Sequence, residues 1–190
     1  MSLATSLSTV GPDDRSADLS PGITIRRPGR EDGAAVWKLV ADSVTLDTNS
    51  MYCNLLQCSH FAATCAIAEM EGEIIGWLSG YIPPEEPDTY FVWQVCTAER
   101  ARGRGIAKRL IKNVLGRSAC AGVTRLQSTI TANNAPSWAL FGAMAETLDT
   151  ELTRAPHFRR DAHFGGQHDT EYMVTIGPFA RSVLPVRRVA

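Results

Sequence analysis

The segment RARGRGIAKRL, Arg100 to Leu110, places five positive charges and two glycines within eleven residues. It follows directly on TYFVWQVCTA (89–98), a stretch apolar almost throughout, which predicts a strand covered on both faces. It runs on into IAKRLIKNVLG, whose apolar residues recur at helical spacing. A strand, a glycine-bearing turn and a helix in that order make an anion socket. Glycines at 103 and 105 let the backbone turn tightly and keep side chains away from an approaching guest. The first N–H groups of the helix have no intrahelical partner and carry the positive end of its dipole. A phosphate or pyrophosphate suits such a socket, with Arg102, Arg104 and Lys108 adding charge at the rim. The spacing is not G-x-G-x-x-G, because Lys108 stands where the third glycine belongs, nor is it the Walker pattern.

The rest of the chain narrows the guest. Net charge is −1 over 190 residues, so the basic segment is local and not part of a nucleic-acid-binding face. No aromatics interleave with its arginines, as a single-strand binder would want. Cys53, Cys58, Cys65, Cys96 and Cys120 are odd in number and contain no C-x-x-C pair, which argues against a disulfide framework and for a reducing compartment. His157, His163 and His168 lack the cysteines or the H-x₃-H spacing of a zinc site, so no metal is expected. The N-terminus has no apolar core of a secretory signal, and no apolar run approaches the ~18 residues of a membrane helix. The expectation is a soluble cytoplasmic protein with neither nucleic-acid nor membrane partners.

Residues 1–21, rich in Ser, Thr, Asp and Pro, are expected to form a disordered leader. One domain is expected over 22–178, followed by a loosely ordered tail over 179–190. ITIRRP alternates as a strand, and REDGAAVWKLVADS is amphipathic with a helical period. SMYCNLLQCSHF predicts a second helix, capped by Asn49 or Ser50. TCAIAEM and EIIGWLSGYI are strands joined through Glu71-Gly72, a hairpin signal. After the basic helix come the strand VTRLQSTIT and the helix NNAPSWALFGAMAETL, with Asn133 or Asn134 as cap and Pro136 in the first turn. ELTRAP and TEYMVTI are the final strands, flanking HFRRDAHFGGQHD.

Arg100 to Gly105 matches the Q/R-x-x-G-x-G/A signature of the GNAT superfamily of N-acetyltransferases, and the order β-α-α-β-β-β-α-β-α-β-β also resembles that superfamily. The resemblance implies an α/β (α+β) fold with a mixed, mostly antiparallel central sheet flanked by helices. It implies acetyl-CoA as co-substrate, its pyrophosphate on the backbone amides of the loop and helix start, Arg102, Gly103, Arg104, Gly105, Ile106 and Ala107. Val95-Cys96-Thr97 then lies along the pantetheine arm and polarises the thioester carbonyl through a backbone N–H. Asn134 to Phe141 resembles the second cofactor contact, with Asn134 at its head. Phe141 stands where many relatives have tyrosine, so no tyrosine general acid is carried over. Three longer stretches, 46–69, 76–95 and HDTEY (168–172), are similar to the L-2,4-diaminobutyrate acetyltransferases of ectoine synthesis. Those enzymes acetylate the γ-amine of diaminobutyrate. Dimers are common in the family, and a homodimer is the expected assembly.

Acetylating an amine sets its own requirements. A primary amine with a pKa near ~10.4 arrives protonated, so carboxylates must attract it and relay its proton. Asp47, in the turn SVTLDTNS, is a candidate for both tasks, or a simple turn former. Glu171 and His168, three residues apart beside Gly165-Gly166, could bind an ammonium and shuttle its proton. Trp93 lies two residues before Val95 and should share its face, offering a cation–π surface. Tyr52 is a candidate for hydrogen-bonding the substrate, or a packing residue of its helix. Glu85 and Glu86 form an acidic rim. Cys96 has no base beside it in sequence, which favours direct transfer over an acyl-enzyme. The competing class is a protein or peptide N-acetyltransferase, with the same cofactor half and an open acceptor groove.

Overall fold

Glu71 (φ 54°) and Gly72 (φ 80°) both adopt the left-handed conformation. That is the geometry of a two-residue hairpin turn matched to strand twist, and it joins strand β2 (Ala66–Met70) to β3 (Glu73–Tyr81). The computed structural model describes residues 22–43 and 46–184. The expected leader over 1–21 and the end of the tail, 185–190, lie outside the described residues. The remaining elements are β1 (Ile23–Arg26), α1 (Gly33–Ala41), α2 (Met51–Ser59), β4 (Thr89–Thr97), α3 (Ile106–Leu115), β5 (Arg125–Thr131), α4 (Ala135–Thr147), β6 (Leu152–Phe158) and β7 (Glu171–Ile176). Their order is the one expected from the sequence.

The seven strands form one sheet in the order β1-β2-β3-β4-β5-β7-β6. Every pairing is antiparallel except β4 with β5. The parallel ladder pairs Thr89, Tyr90 and Phe91 with Arg125, Leu126 and Gln127, and stops there. β4 nevertheless runs on to Thr97 and β5 to Thr131, so the two strands diverge and open the sheet. Gln94 pairs with Ser79 and Val92 with Gly80, which leaves Trp93 as the extra residue of a β-bulge. Bulges of this kind bend a strand and re-aim its side chains.

Two core clusters flank the sheet. The larger joins Leu110, Ile111 and Val114 of α3 and Phe141 and Met144 of α4 to Ile75, Leu126 and Val174. The smaller joins Val36 and Val40 of α1 and Cys58 of α2 to Ile67, Trp77 and Cys96. Helix α3 lies close on the strands because Gly76 has no side chain: a Cβ there would come within 2.8 Å of Ile106 Cγ2 and 3.1 Å of Ala68 Cβ. The far end of α3 is clamped by Arg117. Its guanidinium donates to the carbonyls of Ala63 (3.2 Å) and Cys65 (2.6 Å) and to Asn113 Oδ1 (2.8 Å). Past 178, Phe179 and Leu184 are buried in the larger cluster, and Arg181 donates to the Leu115 carbonyl at 2.9 Å. Packing therefore continues to Leu184, beyond the boundary expected at 178. Among the described residues no helix is long and apolar enough to cross a membrane.

Candidate active site

The divergence of β4 from β5 opens a cleft of ≈ 360 Å³. Val95, Cys96 and Thr97 line it from β4, Arg102, Gly103 and Ala107 from the basic turn and α3, and Asn134 from the head of α4. Gly103 (φ 75°) and Gly105 (φ 67°) hold left-handed conformations that other residues adopt only under strain. A Cβ at either position would meet nothing within 4 Å, so the open space in front of the turn is available to a guest. Gly105 is the N-cap of α3 and no side chain caps that end. The leading amides of a ten-residue helix thus face outward beside Arg102, as pyrophosphate binding needs. This donor set fits coenzyme A.

The other basic residues are placed less uniformly. Arg100 pairs with Glu73, and Arg104 Nη1 lies 3.3 Å from Met70 Sδ. The Ile106 side chain is buried in the core, so only its backbone N–H is available to a ligand. Asn134 Oδ1 accepts from Ser137 N at 3.2 Å and caps α4, while the residue also lines the cleft. Phe141 is buried in the larger cluster. Burial pushes the Cys96 thiol up to about 12, so it is protonated at neutral pH and a poor nucleophile.

Three further candidate groups, from two distant segments, come together. His168 Nε2 lies 3.8 Å from Asp47 Oδ2 and 3.9 Å from Glu171 Oε1. His168 Nδ1 is 2.7 Å from the Asp169 carbonyl, which can only accept, so Nδ1 carries the proton and Nε2 of the neutral ring is the free acceptor. Heavy-atom separations of 3.8–3.9 Å are too long for direct hydrogen bonds. They suit three acceptors around one donor, such as an ammonium. Glu171 Oε2 is buried with no hydrogen-bond partner. Burial raises the Glu171 carboxyl above its ordinary value; the neighbouring His168 and Thr129 side chains act against the rise, and Asp47 adds to it. The Asp47 side chain is 95% exposed. Trp93, on the bulge, and Tyr52, in the first turn of α2, are exposed rather than packed. Trp93 meets the Tyr81 ring edge-on at 6.4 Å. Glu85 and Glu86 lie on the loop entering β4, at the other end of that strand from Val95–Thr97. Among the described residues no group of three or more His, Cys, Asp or Glu is arranged to hold a metal ion.

Pro136, Ser137 and Leu140, from the Asn134–Phe141 segment expected to contact the cofactor, complete the cleft wall together with Ser43 and Leu46, which were not singled out in the sequence. Gln94 was passed over as well. It is a polar residue in an otherwise apolar strand, and that contrast was the available signal.

Residues 35–145 match the Acetyltransferase (GNAT) family. Over 84% of its length this chain is 48% identical to the L-2,4-diaminobutyric acid acetyltransferase of Methylotuvimicrobium alcaliphilum, covering 92% of that protein. It is 44% identical to the enzyme of the same name from Halomonas elongata, over 82% of this chain and 81% of that one. In three dimensions it resembles the diaminobutyrate acetyltransferase EctA of Paenibacillus lautus, solved in complex with its substrate L-2,4-diaminobutyric acid and coenzyme A. That similarity has a TM-score of 0.79 at 38% identity and covers 83% of this chain and 96% of the other. Family match, long-range identity and a cofactor cleft opened between two parallel strands agree, and the chain belongs to the GNAT family of acetyltransferases.

Proposed function

We propose that this protein transfers the acetyl group of acetyl-CoA to the γ-amino group of L-2,4-diaminobutyrate, a step of ectoine biosynthesis. The observation that carries the acceptor assignment is the placement of two carboxylates, Asp47 and Glu171, within 3.8–3.9 Å of the His168 Nε2 atom. One ammonium satisfies all three. The relatives named above act on this diamine or bind it, which agrees with that charge pattern.

Bound acetyl-CoA supplies an acetyl group activated as a thioester. The amides from Gly103 to Ala107, with Arg102, take the pyrophosphate. A backbone N–H near Val95–Thr97 stabilises the oxygen that gains negative charge during attack. Glu171, whose carboxyl is raised by burial, accepts the ammonium proton directly or through His168 Nε2. Asp47 holds the cation from the opposite side, and the exposed faces of Trp93 and Tyr52 offer further cation–π and hydrogen-bonding surface. Because the Cys96 thiol is held protonated, transfer proceeds directly, without an acyl-enzyme. Phe141 has no proton to give, so the departing thiolate is not protonated from that position. The protein works as a cytoplasmic homodimer on small molecules. β6 closes one end of the sheet and is exposed from Thr153 to Phe158, a surface suited to a second copy.

The test is kcat/KM, with acetyl-CoA saturating, for diaminobutyrate, a monoamine and a lysine-bearing peptide. Diaminobutyrate should be preferred by at least about tenfold, the discrimination expected from one additional charged contact. Equal values for the peptide would favour a protein acetyltransferase instead.

A further inference from the structure

Beneath the Asp47 loop lies a buried amide. Gln94 belongs to β4, next to the bulge, and is 7% exposed. An amide so buried is costly unless both of its ends are bonded. Both are: Gln94 Nε2 donates to the Asp47 carbonyl at 2.8 Å, and Gln94 Oε1 accepts from Asn49 Nδ2 at 2.9 Å. The orientation is fixed by chemistry, since a backbone carbonyl can only accept and the amide nitrogen must therefore face it. From the α1 side, Trp37 Nε1 donates to the Asn49 carbonyl at 3.1 Å. Segment 46–50 has no helical or strand ladder of its own, so these side chains supply its attachment. Meanwhile the Asp47 carboxylate projects into solvent, 3.8 Å from His168. The backbone of Asp47 is thus fastened to the same strand that carries Val95–Thr97.

We infer that Gln94, with Asn49, is a positioning device for Asp47: it sets the acceptor-holding carboxylate at a fixed distance from the cofactor end of β4. Gln94 does not line the cleft and acts only through the loop. The inference rests on the proposed role of Asp47, and its test separates the two.

Gln94→Met keeps the shape and removes both hydrogen bonds. Asn49→Ala removes one of them from the loop side and leaves β4 untouched. Each variant should raise KM for diaminobutyrate about fivefold, in the range expected for losing one or two neutral hydrogen bonds. KM for acetyl-CoA should stay within about twofold of the parent. In an Asp47→Asn background, adding Gln94→Met should change the amine KM no further, because a device acting through a carboxylate has nothing to position once that carboxylate is gone. Equal rises in both KM values, or a full additional fivefold in the Asp47→Asn background, would overturn the inference while leaving the role of Asp47 intact. An Asp47→Asn single variant with an unchanged amine KM would overturn both. Should Gln94→Met fail to fold, Asn49→Ala alone and combined with Asp47→Asn decides the question by the same criteria.

Discussion

Replacing Gly103 with valine isolates the chemistry of the cofactor turn. The wild-type φ of 75° lies in the left-handed region, and an added Cβ would meet nothing within 4 Å. The folding cost is therefore backbone strain and not a clash. Strain of this kind costs about 1–2 kcal/mol, which for a chain of this size lowers Tm by roughly 2–8 °C. Binding should suffer more. The valine methyls would occupy the open space from which the amides of Gly103 to Ala107 reach a pyrophosphate. Losing two hydrogen bonds to a charged group removes about 3 kcal/mol or more, a weakening of about a hundredfold. Calorimetric titration with acetyl-CoA, paired with a thermal melt, reads both quantities. Gly72→Val is the matched control. Gly72 has φ 80° and equally open surroundings at the tip of the β2–β3 hairpin, so it brings the same strain without touching the cleft. It should bind acetyl-CoA like the parent. A folded Gly103→Val protein with parental affinity, or an equal loss in Gly72→Val, would refute the reasoning.

Further outcomes follow from Asp47, Glu171 and Cys96. Asp47→Asn should raise KM for diaminobutyrate about tenfold, with KM for acetyl-CoA unchanged; the carboxylate is 95% exposed, so the effect is that of a charged hydrogen bond and not of a buried ion pair. In Glu171→Gln, kcat should fall and lose its rise with pH, a limb that lies above the ordinary carboxylate range because burial raises this group; a pH–rate profile measures it. The same substitution should stabilise the fold. A carboxyl whose folded pKa is raised binds its proton more tightly folded than unfolded, so the wild-type chain loses stability as pH rises from the unfolded value to the folded one. Melts of Glu171→Gln should accordingly show a Tm advantage at neutral pH that disappears below about pH 4.3, the unperturbed glutamate value. Finally, Cys96→Ser should keep kcat within about tenfold, and the wild-type protein should form no acetylated species on mass spectrometry, since a thiol pushed up to about 12 is a poor nucleophile at neutral pH.

Local chemistry made the elements legible. Ser50 accepts from Cys53 N and starts α2, Asn134 caps α4 with Pro136 in its first turn, and Glu71-Gly72 turns the hairpin. Each depends on residues within one turn of each other, where propensity is decisive. Sheet order was not legible in this way. β7 lies between β5 and β6, an arrangement set by long-range packing that no local pattern encodes. The fates of the basic residues divided for the same reason: Arg102 reaches the cleft, while Arg100 is taken by Glu73, brought beside it by the β3–β4 pairing. The tail contrasts with its composition, because Phe179 and Leu184 find a place in the core that only the assembled sheet provides. Asp47, His168 and Glu171 could be named one by one from what an amine acceptor requires, but the approach of Asp47 to His168 depends on long-range contacts, among them Asn49 bonded to Gln94 on a strand 45 residues away.

The product itself tests the account most directly. Acetyl-CoA and L-2,4-diaminobutyrate incubated with the protein should yield a singly acetylated product whose fragment ions place the acetyl group on the γ-nitrogen. Acetylation at the α-nitrogen would contradict the proposed seating of the diamine, and the absence of any acetylated diaminobutyrate alongside turnover of a lysine-bearing peptide would contradict the assigned function.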